Sequence, residues 1–362
     1  MPEPGLRFAF VSQFVPPSPS GQSIVIGRLI GDWPPESYSL LALTGEPQIP
    51  RGSRFGVQVP NALLAIAVRA RRIGRTLRAE RCQVVIGATG DPYDLPAACL
   101  ASRRARVPFV AWYFDDYPLQ PWHAVTRWVA RRLEPLFLRR AARVIVPNEA
   151  MGGELRRRHG IECVVVRNPC DTGAYSAKIE PRGDSTRIVF TGAVAESNYA
   201  GFRNLLAAIE GTPYRLHVYT AQRPESLRAQ GIAGRVEFHD HLPPEEMPRI
   251  QQAADVLFLP LSLDSRYPEL IRTSAPAKLG EYLAAGRPIL AHVPGDSFVA
   301  TFLNEHQCGT VVSDPAELRA ALDELGNDPA AADRARRIAQ SEFSMEGSRA
   351  RFLAVLREAV AS

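Results

Sequence analysis

The chain contains 362 residues, of which 46% are hydrophobic and 22% charged, the composition of a soluble globular protein. This length suits two domains of ordinary size. The formal net charge of +5 permits partners such as phosphates, acidic lipids or nucleic acid without selecting one. The five cysteines form no C-x-x-C pair, which argues against a zinc or disulfide framework and favours a reducing compartment.

The N-terminal apolar run FAFVSQFV (8–15) is too short for the apolar part of a cleaved signal peptide and is typical of a first strand. Elsewhere, no stretch approaches the roughly 18 apolar residues that a membrane-spanning helix needs. We therefore expect a cytoplasmic protein.

In the first half, short runs rich in β-branched and aromatic residues alternate with helical patterns such as 61–79 and 95–105. Continuous apolar strands separated by helices predict a parallel sheet covered on both faces. The predicted strands are 6–12, 38–44, 83–88, 108–114, 142–147 and 163–168.

The polar segment 171–186 contains Gly and Pro and lacks an apolar face, so we interpret it as a linker. The alternation then restarts, and apolar residues at helical spacing in 343–361 predict a closing helix. The later predicted strands are 187–192, 214–220, 235–239, 256–260, 288–293 and 309–313. The predicted parts are an N-terminal domain (1–170), the linker (171–186), a C-terminal domain (187–342) and the closing helix (343–362).

The segment RTSAPAKLGEYLAAG (272–286) contains one of the only two lysines in the chain, although arginine is abundant. Ser274, Pro276 and Gly286 predict a helix of about ten residues. Its start would offer backbone N–H groups at Ala275 and Ala277, which with the hydroxyls of Thr273 and Ser274 form a candidate anion site.

Lys278 and Glu281 are three residues apart and therefore share one face of this helix. A cation beside a helix start suits a phosphate, and a carboxylate one turn later suits the hydroxyls of a ribose. The pair thus indicates a nucleoside diphosphate site. The alternative is an ordinary exposed Lys–Glu pair worth a few tenths of a kcal/mol.

The segment from Glu281 through YLAAGRPILA (282–291) resembles the second half of the Glu-x7-Glu motif of family 4 glycosyltransferases. Further likenesses follow in the same order as in that family: VSQFVPPSPSGQS (11–23), RVIVPNEAMGGELRRRHGIECVVVRNPCD (143–171), FTGAVAESN (190–198) and VEFHDHLPPEEMPRIQQAADVLFLPLS (236–262). The resemblance implies the GT-B fold, an α/β architecture of two Rossmann-like doubly wound domains facing a central cleft, with the donor nucleotide on the C-terminal domain.

By this resemblance, the enzyme transfers a sugar from a nucleotide-sugar to an acceptor hydroxyl, with retention at the anomeric carbon and without a metal or other cofactor. The acceptor would be a glycan, a lipid-linked sugar or a small molecule. Glu281 would hold the donor ribose, and the region of His241 and Leu242 would contact the base. The remaining donor-binding assignments are Lys278, the segment Thr273, Ser274, Ala275 and Ala277, and the close-approach glycines Gly192 and Gly21.

This sequence departs from the family pattern in three places. The family's Arg and Lys after the donor-domain glycine are absent from GAVAESNY (192–199), so helix dipoles, Lys278 or Arg272 would have to meet the diphosphate charge. Thr273 replaces the first Glu of the motif. Phe114 occupies the position of a frequent His, and the next two residues, Asp115 and Asp116, are candidates for orienting the acceptor hydroxyl. The alternative is that one of them caps a helix and the other is solvated.

Two further patterns in the sequence give weaker indications of function. HDH (239–241) has no third metal ligand nearby in the sequence, so no metal site is expected. The stretch 121–140 mixes aromatic residues with arginines and is typical either of a peripheral membrane surface on the inner face of the membrane or of a core helix pair broken at Pro135. No nucleic-acid partner is expected. Two rival functions stay open, a sugar-nucleotide epimerase and a degenerate GT-B protein that binds nucleotide or glycan without turnover.

Overall fold

A computed structural model describes residues 5–18, 20–43, 55–120, 124–175, 187–325 and 329–362. The chain forms two compact units, unit 1 (Met1–Pro169 with Glu346–Ser362) and unit 2 (Cys170–Met345). Most of the predicted linker, residues 176–186, lies outside the described residues. No helix in the described ranges is long and apolar enough to cross a membrane.

Unit 1 is built on one parallel sheet with the strand order β2-β1-β3-β4-β5-β6. Its strands are β1 (Phe8–Val11), β2 (Tyr38–Leu41), β3 (Val84–Ala88), β4 (Phe109–Trp112), β5 (Arg143–Val146) and β6 (Val164–Val165). Its helices are α1 (Gly21–Ile30), α2 (Phe55–Ala79), α3 (Asp94–Ala105), α4 (Ala124–Leu138), α5 (Glu149–His159) and the C-terminal helix, which is α14 in chain order (Met345–Ala361).

Both faces of this sheet are covered, which explains why most positions of its strands are apolar. Side chains alternate along β1: Ala9 and Val11 pack in the core with α2 and α3, whereas Phe8 and Phe10 pack on the opposite face. Phe352 of α14 is fully buried on that second face, with its ring centroid 5.9 Å from that of Phe8. The C-terminal helix is therefore part of the core of unit 1.

Unit 2 contains a second parallel sheet, with the strand order β12-β11-β10-β7-β8-β9. Its strands are β7 (Arg187–Thr191), β8 (Arg215–Tyr219), β9 (Val236–His239), β10 (Val256–Pro260), β11 (Ile289–His292) and β12 (Thr310–Val312). Its helices are α6 (Tyr199–Ala208), α7 (Pro224–Arg228), α8 (Met247–Gln252), α9 (Pro268–Arg272), α10 (Lys278–Ala285), α11 (Phe298–Glu305), α12 (Leu318–Glu324) and α13 (Pro329–Ile338).

All twelve predicted strands are present, and the prediction of two doubly wound α/β units is confirmed. In each sheet the strand order reverses once, between β1 and β3 in unit 1 and between β7 and β10 in unit 2. Ligands of open α/β sheets bind beyond the carboxyl ends of the strands at such switch points. Residues that bind a ligand are therefore expected directly after β1, β3, β7 and β10.

Two predicted helices differ from the structure. The helix predicted to have Pro276 at an early position is shorter than expected, because α9 ends at Arg272 and α10 begins only at Lys278. A proline disfavours helical backbone at the residue before it. Pro276 therefore lies in the break between the two helices instead of inside α10. In contrast, α4 runs through Pro135 without a break and buries Phe137 and Leu138 in the core.

Candidate functional site

The carboxyl end of β7 lies against the first turn of α10. Gly192 follows β7 with a φ of +104°, a conformation that favours glycine. A Cβ atom at this position would lie 3.1 Å from both Cε and Nζ of Lys278. Glycine is therefore favoured at this position for two reasons: it adopts the positive φ of the turn, and it leaves room for the lysine side chain.

Lys278 is half-buried, and its Nζ lies 4.9 Å from the ring centroid of Phe190, within cation–π distance. Loss of hydration lowers the pKa of its ammonium group, an effect that nearby Glu281 opposes. Among the described residues no carboxylate forms an ion pair with Lys278. Within the described ranges, the ammonium group at the switch point of unit 2 thus lies near the Glu281 carboxylate but forms no ion pair with it.

Glu281 is held by a hydrogen-bond network that the sequence did not reveal. The fully buried Gln251 donates through Nε2 to Glu281 Oε2 at 3.3 Å and to Thr191 Oγ1 at 3.1 Å. Its Oε1 accepts a hydrogen bond from the Tyr175 hydroxyl at 2.6 Å. Gln251 stands beside a second glutamine before a predicted strand, and nothing in that pattern says which of the two is buried.

The opposite face of α10 packs as predicted, with Leu279, Tyr282 and Leu283 all buried. The Tyr282 hydroxyl accepts a hydrogen bond from the Thr191 N–H at 3.2 Å, which attaches the helix to the end of β7. The orientation of Lys278 and Glu281 away from the core is therefore fixed by packing on the other side of the helix.

The segment before α10 differs from the predicted anion site. Thr273 is buried and its hydroxyl donates to the carbonyl of Glu269 at 3.1 Å, which favours a structural role. The Ser274 N–H donates to the Ile271 carbonyl at 3.2 Å. Because the helix begins at Lys278, its first-turn N–H groups belong to Lys278 and its successors, and Ala275 and Ala277 precede them.

Two other predicted donor contacts occupy open positions. His241 is exposed and Leu242 half-buried, in the loop that follows β9. Gly21 is the first residue of α1, and a Cβ atom added there would meet no atom within 4 Å. Gly21 therefore leaves room for a ligand, although neither its backbone nor its neighbours require glycine.

In unit 1, the two adjacent carboxylates after β4 have different surroundings. Asp115 is exposed, and its N–H donates to Thr89 Oγ1 at 3.2 Å. Asp116 is fully buried and its Oδ2 accepts a hydrogen bond from Arg158 at 2.7 Å. Its side chain caps no helix. Asp116 therefore has the surroundings of a structural residue, whereas the side chain of Asp115 is open to solvent.

Burial raises the pKa of Asp116 to about 6; Arg158 opposes this rise, whereas the nearby carboxylate of Glu134 adds to it. Glu134 is itself buried and accepts a hydrogen bond from the Tyr113 hydroxyl at 3.0 Å. His159 Nε2 lies 2.9 Å from the other carboxylate oxygen of Glu134. This network ties α4 and α5 to the end of β4.

At the switch point of unit 1, a polar group joins the ends of β1 and β3. Gln22 donates through Nε2 to Ser12 Oγ at 2.9 Å and to the Thr89 carbonyl at 2.7 Å. Gly90 has a φ of +130°, and a Cβ atom there would lie 3.0 Å from Gln22 Oε1 and 3.2 Å from Gln13 Oε1. Both glutamines lie in the segment 11–23, where no feature of the sequence distinguishes them.

Sequence models of two glycosyltransferase families match consecutive parts of the chain. The model described as Glycosyltransferase Family 4 matches residues 30–174, and the model described as Glycosyl transferases group 1 matches residues 185–328. The chain belongs to glycosyltransferase family 4. Among curated proteins, none matches the sequence at a significant level.

Solved structures of similar fold include several glycosyltransferases. A sucrose-phosphate synthase from Thermosynechococcus elongatus has 15% identity and a TM-score of 0.71, over 99% of this chain and 100% of that one. Anabaena HepE in complex with UDP and glucose has 16% identity and a TM-score of 0.70, over 98% and 100%. A glycosyltransferase from Rickettsia africae has 12% identity and a TM-score of 0.68, over 99% of each chain. At these identities the likeness establishes the GT-B fold of this family 4 glycosyltransferase and leaves its substrates open.

Proposed function

We propose that this glycosyltransferase transfers a hexose from a nucleotide-sugar, bound by unit 2, to an acceptor hydroxyl. The observation that carries the proposal is the half-buried Lys278 ammonium, which has no carboxylate partner in the described residues and lies beside the Gly192 turn at the switch point. A cation kept partly out of water without a counter-ion is costly unless an anion joins it.

The diphosphate of the donor is the anion that this position suits. Gly192 lets the Lys278 side chain lie against the turn after β7, and the first-turn N–H groups of α10 add partial positive charge. Lys278 thereby supplies the charge that the Arg and Lys of the family pattern would have supplied. In a partly desolvated site its interaction with a departing diphosphate is stronger than in water.

Glu281 is proposed to accept hydrogen bonds from the ribose hydroxyls of the donor. Its carboxylate lies one turn beyond Lys278, and Gln251 restrains one of its oxygens. Such restraint reduces the entropy that binding must remove from the side chain. The loop containing His241 and Leu242 is proposed to contact the base, and Anabaena HepE, whose structure contains UDP, makes UDP the first base to test.

The acceptor is proposed to meet unit 1 near Asp115, where an exposed carboxylate can orient a hydroxyl group. Surface polysaccharide, glycolipid and secondary-metabolite hydroxyls all have this chemistry. We propose that the transfer retains the anomeric configuration and needs no metal. The leaving diphosphate would take the acceptor proton, and the protein would position the reactants and stabilise the developing charge.

The first experiment is thermal melting of the protein with UDP, GDP, ADP, CDP or dTDP, each without metal. A nucleotide at about 100 times its Kd stabilises by roughly 2.7 kcal/mol, which shifts the melting temperature by several degrees. We expect one nucleotide to shift the melt, and the matching nucleotide-sugars then to yield product with an acceptor panel in the presence of EDTA.

Three other results would redirect the proposal. Donor isomerisation without acceptor would indicate an epimerase. Tight nucleotide binding with neither transfer nor donor hydrolysis would indicate a degenerate binding protein. Thr273 in place of the first motif Glu is the feature that favours this alternative. Absence of any shift would contradict the donor site.

A peripheral membrane contact of unit 1 is also proposed. Leu63 of α2 and Leu136 of α4 are half-exposed around an apolar cavity of 160 Å³ that Arg103 and Arg140 also line. Apolar side chains beside arginines suit an anionic lipid surface. Of the predicted stretch 121–140, residues 121–123 lie outside the described residues.

Co-sedimentation with anionic and neutral vesicles tests this contact. We expect Leu136→Ser to reduce binding to anionic vesicles and the exposed control Val360→Ser on α14 to leave it unchanged. No sedimentation of the wild-type protein with anionic vesicles would disprove the contact.

A further inference from the structure

Three potential metal ligands meet on one face of strands β8 and β9. His217 pairs with Glu237 across the two strands, and His239 follows two residues later on the same face. His217 Nδ1 lies 2.9 Å from His239 Nε2 and 3.4 Å from Glu237 Oε2. His239 Nε2 lies 4.0 Å from the same carboxylate oxygen. The cluster thus presents one ligand atom from each of three side chains.

These separations fit a zinc ion. Ligand atoms about 2.0–2.1 Å from a tetrahedral Zn²⁺ are about 3.3 Å apart, and the three observed separations span that value. Two histidines and one glutamate are an established zinc ligand set, which leaves a fourth position for water. The half-exposed Glu237 and His239 leave the cluster open to solvent on one side.

The surroundings hold the three side chains in place. Glu237 Oε1 lies 3.4 Å from Arg215 Nε, and the His239 ring stacks on that of Tyr219 with centroids 4.4 Å apart. The Tyr219 hydroxyl in turn accepts a hydrogen bond from Arg187. Partners that fix the orientation of ligand side chains increase metal affinity. The two arginines also repel a dication, so they reduce the affinity of the site.

The competing explanation is a hydrogen bond between two imidazoles. The His217 and His239 rings are nearly parallel, with an interplanar angle of 13°, and a proton shared between Nδ1 and Nε2 would account for their 2.9 Å separation. That explanation does not require the third group, Glu237, which also directs an oxygen to both rings. Convergence of all three groups favours a metal.

We infer that His217, Glu237 and His239 form a zinc site that clips the edge strand β9 to β8. The site lies on the sheet face and takes no part in the transfer step proposed above. Its expected effect is structural: it would hold the end of β9, from which the loop containing His241 and Leu242 begins. A sheet edge that is pinned in this way is also less prone to fraying.

Cobalt(II) titration of the untagged, chelator-dialysed full-length protein tests the inference. We expect visible absorption typical of four-coordinate cobalt, displaced by one equivalent of Zn²⁺. His239→Ala and Glu237→Gln should each weaken cobalt binding by at least about tenfold. The controls are His306→Ala, which removes a histidine elsewhere in unit 2, and Asp240→Asn, which removes an adjacent exposed acid that is outside the ligand set. Both should bind nearly as the wild type does.

Glu237→Gln keeps the shape of an exposed side chain, so it tests the site even if loss of a histidine disturbs the fold. Zinc should raise the melting temperature of the wild type and of Asp240→Asn, but not that of Glu237→Gln. Absence of the cobalt spectrum at millimolar metal, or equal binding by Glu237→Gln, His239→Ala and the wild type, would overturn the inference in favour of a histidine–histidine hydrogen bond.

Discussion

Unit 2 and unit 1 each have a pair of charged residues after a parallel strand, and the two pairs have different surroundings. Lys278 and Glu281 are one helical turn apart, and α10 holds both away from the core. Asp115 and Asp116 are adjacent in the bend that follows β4, where one is exposed and the other is buried against Arg158. Spacing relative to the local backbone period decides whether two neighbouring charges can act together.

The comparison also separates two uses of charge. The buried Asp116 carboxylate is paired with Arg158, which links the end of β4 to α5. The half-buried charge of Lys278 forms no ion pair among the described residues, and the proposed function assigns it to the diphosphate of a ligand. Four predictions test this contrast, from the largest expected effect to the smallest.

Lys278→Ala should have the largest effect. Removing a cation that stabilises a departing diphosphate lowers kcat/KM on the order of 100-fold. Binding of UDP, or of whichever nucleoside diphosphate shifts the melt, should weaken far more than binding of the nucleoside. Isothermal titration of both ligands measures the difference, with the exposed Arg319→Ala as a control for charge. Equal losses for nucleotide and nucleoside would identify a structural lysine.

Glu281→Ala should raise the donor KM by about 10- to 100-fold, because two hydrogen bonds from the ribose lose a charged acceptor. Glu281→Gln keeps one acceptor oxygen and should have an intermediate effect. Steady-state kinetics with varied donor measures both, and circular dichroism checks the fold. An unchanged donor KM in the alanine variant would refute the ribose assignment.

Asp115→Asn should lower kcat/KM for the acceptor by about tenfold and leave the donor KM unchanged, since an amide accepts the acceptor's hydrogen bond more weakly than a carboxylate. The neighbouring Asp116→Asn is the matched comparison, because it changes the same charge one residue away inside the protein. If Asp116→Asn reduced acceptor kinetics as much as Asp115→Asn, the distinction between the two residues would fail.

Asp116→Asn should change the pH dependence of stability by the smallest amount. The folded state keeps the Asp116 proton up to about pH 6, whereas the ordinary pKa of an aspartate is 3.8. The higher pKa of Asp116 in the folded state adds to the free energy of unfolding. This contribution is fully present below the pKa of the unfolded state and is lost as the pH rises through the pKa of the folded state. Between pH 4 and pH 7, the wild type should therefore lose a few degrees of melting temperature relative to the variant. Parallel melting curves across that range would show that the Asp116 pKa is not raised.

Much of the fold could be predicted because its signals are local. Every strand of both sheets falls in a short run, most of them rich in β-branched and aromatic residues, that the sequence marks, and Gly286 ends α10 in the left-handed conformation expected of a helix C-cap. The break at Pro276 was also encoded locally, since a proline restricts the residue before it. There the prediction was wrong because it placed the proline inside the helix.

The candidate site was only partly predictable. Lys278 and Glu281 were found because they share one helix and their spacing is visible in the sequence. Gln251 and Tyr175, which restrain Glu281, come from segments 30 or more residues away, and only folding brings them within hydrogen-bond distance. The same is true of His217, which is 22 residues from His239 along the chain and 2.9 Å from it in the structure.

The sequence by itself determined the alternation of strands and helices, the two-domain α/β class and the face of α10 that presents its charged pair. These follow from periodicity and from residues that act on their immediate neighbours. The tertiary structure decided which of two adjacent aspartates is buried, that the Thr273 hydroxyl is used within its own segment, and which buried polar groups hold Glu281. Burial and hydrogen bonding depend on partners that are remote in the chain, and a single sequence does not reveal which remote residues meet.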